Sequence, residues 1–255
     1  MKTVFKTVAL FVGLAFLMGG ACPSNETTLS NKVEQTEIYQ NYSIAQNGNL
    51  YDVTAYFRIG GKTGTTLALS APSKIMFNGQ PMQENLNTSS GTYYTATVPA
   101  NTKDGTFAFT DRNSKTYSNR IDMARVAFAP SKLAINGTSP VSLPLAGTPT
   151  DSSVFNLELN DRMVIVSSGP GDFAEAYLDK ATNSIVLMPK AWEQVANGLV
   201  AVELEVRNSI PTQQGTGLGG DMNFVYNSLP ANATLAKAKV AANKATANKT
   251  TAIKK

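Results

Sequence analysis

The stretch LYDVTAYFRI, Leu50–Ile59, decides how the chain folds. Tyr51, Val53, Ala55, Phe57 and Ile59 fall on one side of it, and Asp52, Thr54, Tyr56 and Arg58 on the other. Successive side chains of a strand point to opposite faces, so this alternation predicts a half-buried β-strand. The same period recurs outward in both directions. Thr65–Leu69 and Thr92–Val98 are further strand candidates, the second closed by Pro99. Ile75-Met76-Phe77 runs into Asn78-Gly79, the pair best able to take the two positive φ angles of a type I′ hairpin turn. Pro81 has no N–H to give, which confines the returning segment to an edge.

Thr106–Phe109 and Thr116–Met123 flank the polar turn Asp111–Lys115. Around Arg125–Pro130 the pattern restarts. Beyond it lie Leu133–Ile135, Val141–Leu145, Val154–Leu159, the apolar run Met163–Val166, which reads as a buried strand, Ala174–Leu178, Ser184–Met188 and Met222–Tyr226. Ala191–Ala196 has room for one helical turn before Asn197-Gly198. Leu199–Val206 alternates most cleanly, with Leu199, Ala201, Glu203 and Glu205 opposite Val200, Val202, Leu204 and Val206. Short strands with turn signals every 8–12 residues are the pattern of a β-sandwich. GTFAFTDRNSKTYSNRIDM, Gly105–Met123, resembles the late strands of bacterial immunoglobulin-like domains. The fold class is therefore all-β, with two tandem immunoglobulin-like antiparallel sandwiches over 38–127 and 128–229 and a disordered basic tail over 230–255.

Composition supports a folded chain: 42% of residues are hydrophobic and only 16% charged. The net charge of +4 is misleading. Lys2 and Lys6 lie at the start, and Lys237, Lys239, Lys244, Lys249, Lys254 and Lys255 fall in the last nineteen residues. Removing these eight from the 22 bases leaves 14 against 18 acids, so the body is acidic and the basic character belongs to a tail. Six lysines without an acid and little to bury predict disorder there. Those lysines are the candidate contacts for an anionic surface. No aromatic residue interleaves with them, so base stacking and a specific nucleic-acid partner are not expected.

The beginning of the chain is MKTVFKTVALFVGLAFLMGGAC. Two lysines, an apolar run over Val8–Met18 and the small residues Gly19, Gly20 and Ala21 make a secretory leader over 1–21. The apolar run is too short to cross a hydrocarbon core of about 30 Å. Gly19-x-Ala21 suits an ordinary signal peptidase, which would free a chain beginning at Cys22. Leu17–Cys22 also resembles the lipobox of bacterial lipoproteins, and the resemblance implies an acylated Cys22 and a membrane anchor. Cys22 is the only cysteine, and a lone thiol in an oxidising compartment is a liability that acylation removes. Residues 22–37, which include the polar Pro23–Glu37, then read as a tether. The expected location is the cell envelope, facing periplasm or surface; without lipid the chain would be periplasmic or secreted.

The chain has no histidine, which removes Ser-His-Asp triads and almost every zinc site. Gly215-x-Gly217-x-x-Gly220 matches a dinucleotide fingerprint, but that chemistry needs a helix after the glycines, and Asp221–Tyr226 reads as strand. No cofactor is expected. Asp161, Asp172, Asp179 and Asp221 fall at loops and are the candidates for calcium or for a carboxylate pair acting on a glycan. Trp192, Tyr93, Tyr94 and Tyr226 are candidates for stacking on sugar rings. The reading that follows is a non-enzymatic envelope lipoprotein acting as a binding or structural module, with an envelope polysaccharide or protein as partner. A carboxylate-dependent glycan-acting enzyme, or a protein working through its basic tail, are the alternatives.

Overall fold

A computed structural model describes residues 27–237 apart from 88, 124, 130–132, 137 and 229–230. The strands in chain order are β1 (Thr27–Leu29), β2 (Ile38–Asn47), β3 (Leu50–Ile59), β4 (Thr65–Ala68), β5 (Lys74–Phe77), β6 (Gln80–Pro81), β7 (Gln83–Asn87), β8 (Gly91–Pro99), β9 (Asp104–Thr110) and β10 (Thr116–Asp122). They continue as β11 (Ala127–Phe128), β12 (Leu133–Asn136), β13 (Val141–Ala146), β14 (Ser153–Leu159), β15 (Arg162–Ser167), β16 (Ala176–Asp179), β17 (Ser184–Leu187), β18 (Gly198–Pro211), β19 (Gly220–Asn227) and β20 (Ala231–Ala236). Among the described residues the helical ones form short 3-10 turns, at Ser30–Lys32, Gln35–Glu37 and Pro189–Trp192. Among the described residues no helix is long and apolar enough to cross a membrane.

The chain divides into two compact units. The first holds 1–125, 150–153 and 207–226; the second holds 126–149, 154–206 and 227–255. In the first unit one sheet runs β19–β2–β3–β8–β7, with β4 also on β3 and β1 parallel to β4. The other sheet runs β10–β9–β5–β6. Leu50–Ile59 forms β3, with Tyr51, Val53, Ala55 and Phe57 fully buried. Aromatic rings join the two sheets: Tyr42 stacks on Phe107 and Phe57 lies against Phe109, each pair with centroids 4.4 Å apart. The Asn78-Gly79 hairpin forms with φ of 48° and 78°, and Pro81 sits in the edge strand β6.

In the second unit β13, β17 and β16 pair in that order, and β20, β18, β14 and β15 in theirs. These are the B-E-D and G-F-C-C′ layers of an immunoglobulin-like sandwich. A two-residue parallel contact of β15 with β16 links them, β11 extends the first and β12 pairs in parallel with β20. Leu143, Leu157, Val164, Ile185, Leu187, Val202, Leu204 and Val206 are fully buried between them.

Three expectations change. Residues 22–37 are not all tether, because from Thr27 the chain belongs to the fold. Ser30 and Gln35 are buried, and the Gln35 amide donates 2.9 Å bonds to the carbonyls of Ser30 and Val33. Polar side chains that satisfy their neighbours' backbone can go inside, so polarity did not mean exposure. The tail over 230–255 likewise starts later. Ala231–Ala236 is β20, with Ala233 and Leu235 buried and Asn232 and Thr234 exposed. Small alternating residues suffice where strands approach on both sides. The first unit, finally, is not contiguous, since it includes 207–226.

Candidate binding face

Alternation along β14 turns Phe155, Leu157 and Leu159 inward and leaves Val154, Asn156 and Glu158 outward. The turn to β15 is Asn160-Asp161, with Asn160 at a φ of 54°. Asn160 exchanges bonds with Ala201 of β18: its N–H donates to the Ala201 carbonyl and its Oδ1 accepts from the Ala201 N–H, both at 2.9 Å. The Asn156 amide donates to Glu205 Oε1 at 2.8 Å. That register sets Glu158 opposite Glu203. On β15 the run Met163–Val166 is not uniformly buried: Val164 and Val166 turn in, while Met163 and Ile165 are 64% and 69% exposed.

The outward side of β15, β14 and β18 therefore carries four exposed apolar side chains, Met163, Ile165, Val154 and Leu199, with three carboxylates among them. A groove of about 70 Å³ is lined by Asn156, Glu158, Met163, Glu203, Glu205 and Asn227, with Leu157 at its floor. A wider one of about 480 Å³ shares Met163 and runs over Asn160, Asp161 and Arg162 to Gln194, Val195 and Ala196. Arg162 is already engaged, donating to the Ala191 carbonyl and pairing with Glu175 at 2.7 Å. In the loop before β16, Phe173 is 86% exposed, and Lys190 Nζ lies 5.7 Å from its ring centroid.

The four aspartates singled out from the sequence do not come together. Asp221 is in the first unit, and Asp161, Asp172 and Asp179 are in the second. Asp221 accepts from the Tyr39 hydroxyl at 2.5 Å and pairs with Lys62 at 3.1 Å. The Tyr39 bond chiefly, then Lys62, hold its carboxyl below the usual carboxylate range. Burial, and after it the same contact, push the Tyr39 phenol above its ordinary value. Asp179 caps a turn, accepting from Thr182 Oγ1 at 2.8 Å and the Ala181 N–H at 3.0 Å, and the Thr182 bond lowers its pKa most. Asp161 and Asp172 are exposed turn residues. Among the described residues no group of three or more acidic or cysteine side chains is placed to hold a metal ion.

Of the rings proposed for sugars, Trp192, Tyr94 and Tyr226 are buried. Tyr93 is half-buried and stacks on Tyr56, with centroids 5.5 Å apart and planes 24° apart, and Arg58 lies 5.4 Å from the Tyr56 centroid. These ring faces are spent on each other and on Arg58. The glycine triplet leads into strand β19 and not a helix: a Cβ on Gly217 would lie 2.7 Å from the Thr36 carbonyl oxygen. Lys237 is part of the fold, its N–H donating to Asn197 Oδ1 at 3.0 Å and its Nζ to the Glu193 carbonyl at 2.6 Å. Cys22, Lys239, Lys244, Lys249, Lys254 and Lys255 lie outside the described residues.

Glu158, Glu203 and Glu205 were not singled out from the sequence. The alternation of Leu199–Val206 does turn Glu203 and Glu205 outward, but only the β14–β18 register brings Glu158 beside them.

No family model and no curated protein matches the chain. Solved structures do. The tandem immunoglobulin repeats of Dlar match at 10% identity and a TM-score of 0.29, covering 79% of this chain and 98% of that one. Murine CEACAM1b matches at 12% and 0.26, covering 78% of this chain and 100% of that one. An immunoglobulin tandem of titin matches at 8% and 0.23, covering 78% and 95%. Identities and scores this low carry no argument about function.

Proposed function

We propose that the chain is a non-enzymatic envelope protein that binds another protein and is held at the membrane by acyl chains on Cys22. The observation that carries the binding reading is the outward face of β15, β14 and β18. There Met163 and Ile165 stand exposed beside Glu158, Glu203 and Glu205. Protein interfaces are built this way, with an apolar centre that desolvates and a polar rim that sets the partner. A protein fits better than a polysaccharide because the chain's candidate rings are buried or stacked on one another. Binding fits better than hydrolysis because the four candidate aspartates are scattered, Asp179 and Asp221 in strands and Asp161 and Asp172 in exposed turns, and each has its own local role. The anchor rests on Leu17–Cys22 and on the absence of any other cysteine.

The test replaces Ile165 by the photo-reactive p-benzoylphenylalanine in producing cells. One discrete protein adduct in the envelope fraction is expected, and none from the same replacement at Leu86, an equally open position on the first unit. Equal adducts from both positions would remove the binding face. Mass spectrometry of the mature N-terminus reads the anchor separately: acyl chains on Cys22 are expected, and a bare Cys22 overturns that part.

A further inference from the structure

Two rows of side chains cross the outward face of β18, β14 and β15. Glu203, Glu158 and Met163 make one, and Glu205, Asn156 and Ile165 the other. The β14–β15 register pairs Glu158 with Met163 and Asn156 with Ile165, and the Asn160–Ala201 and Asn156–Glu205 bonds fix β14 against β18. The first row sets two carboxylates opposite each other on neighbouring strands, and like charges so placed repel. Among the described residues no ion pair involves Glu158 or Glu203, and Arg162, next to Met163 in sequence, is turned to Glu175 and the Ala191 carbonyl. The groove of about 70 Å³ between these carboxylates and Met163 has room for several waters or for one extended side chain. Charge decides what can dock. An anionic surface is repelled, and a second copy of the face would set carboxylate against carboxylate. A small cation would leave Met163, Ile165, Val154 and Leu199 in water. The occupant that answers both features is a protein segment with a cationic side chain on an apolar surface.

We propose that the partner places an arginine side chain in this groove, its guanidinium between Glu158 and Glu203 and its stem along Met163, with apolar neighbours of that arginine covering Ile165. This rests on the protein-binding reading of the face and names the partner's chemistry. Arginine fits better than lysine for two reasons. Its planar fork carries five donors and serves both carboxylates at once, whereas an ammonium is a point charge with three. The guanidinium is also more weakly hydrated, so it is less costly to bring beside Met163 and Ile165. An exposed ion pair is weak alone, but charge-assisted bonds strengthen once apolar neighbours exclude water from them. A partner with a neutral side chain at that position would leave two carboxylates unanswered against an apolar surface, which gives the face its selectivity.

The probe is a short peptide with one arginine flanked by leucines, set against the same peptide with citrulline, which keeps the shape and loses the charge, and with lysine. Each is titrated into purified full-length protein carrying Cys22→Ser, and binding is read from backbone amide shifts by NMR. The arginine peptide is expected to bind about tenfold more tightly than the citrulline one at low salt, with the lysine peptide between them. The largest shifts should fall at Glu158, Met163 and Glu203. Glu158→Gln with Glu203→Gln should remove the discrimination, and about 1 M NaCl should narrow it. Equal affinities for the arginine and citrulline peptides would overturn the proposal, as would the same discrimination in the double Gln variant. A lysine peptide that binds as tightly would overturn the assignment of arginine. A discrete photo-adduct at Ile165 with no discrimination among the peptides would keep the binding face and exclude an arginine-bearing partner. Discrimination without the adduct would keep the arginine groove and remove the envelope partner.

Discussion

Asp221 shows how a single side chain can invite the wrong reading. Its expected place in a loop suggested metal or acid chemistry, and the structure puts it in β19 with a Tyr39 hydroxyl and a Lys62 ammonium as partners. Its pKa is lowered in the fold, so the stabilisation is present above the unfolded value of about 3.9 and is lost as pH falls through the folded one. Lys62 is 71% exposed and adds little, so Tyr39 is the partner that counts. Tyr39→Phe should cost about 1 kcal/mol or less at neutral pH, and the gap from wild type should be narrower in acid, below the ordinary carboxylate value. Urea unfolding at the two pH values measures this; an unchanged gap would assign the effect to ring packing. Gly220 teaches the same lesson for the glycine triplet. A Cβ there would stand 1.9 Å from the Gln40 carbonyl oxygen, because β19 runs parallel against β2 at this point. Gly220→Ala should lower stability by about 2–3 kcal/mol in thermal unfolding. Gly169→Ala, with nothing within 4 Å, should change it by less than about 0.5 kcal/mol.

At the scale of elements, period-two alternation exposed most strands, and β3, β14 and β18 bury the faces that their sequences predict. It failed where composition stood in for pattern. Ala231–Ala236 was hidden by the lysines that follow it, although Ala233 and Leu235 alternate with polar neighbours. Thr27–Leu29 was hidden by its own polarity, yet Thr27 shares hydroxyl bonds with Thr66 and Thr92 at 3.0 and 3.1 Å. Met163–Val166 erred in the other direction, since four apolar residues in a row fit a strand buried on both sides or on one. That ambiguity kept Met163 and Ile165 out of the candidate site. β20 supplies the sharpest test of the element assignments. Leu235→Ala should cost about 2–4 kcal/mol, as a core truncation does, while Thr234→Ala on the exposed side should cost under about 0.5 kcal/mol. Equal and negligible effects in chemical denaturation would return the segment to the tail.

For the whole molecule, alternation identifies faces and not partners, and this is why the division of the chain could not be read in full. The restart near Arg125 is visible in the sequence, but nothing in it says that 207–226 belongs with the first unit. The pairing that decides this joins β19 to β2, bringing Asp221 to Tyr39 across 182 residues. Met222, Phe224 and Tyr226 are buried there, and Phe224 packs edge-on to Tyr51 at 5.4 Å. The same segment covers the edge of β10, where Gln214 accepts from the Ser118 N–H at 2.8 Å and Gln213 from the Arg120 N–H at 2.8 Å. Three large side chains at about 1.5–3 kcal/mol each amount to roughly 5–9 kcal/mol, comparable with the whole stability of an ordinary domain, about 5–15 kcal/mol. A fragment ending at Arg125 should therefore lack a cooperative unfolding transition and a native near-ultraviolet circular dichroism signal, although it holds every strand from β1 to β10. Adding a peptide of residues 207–226 should restore part of both. A fragment that unfolds cooperatively without the peptide would show that β19 is an accessory to the first unit and not one of its structural strands.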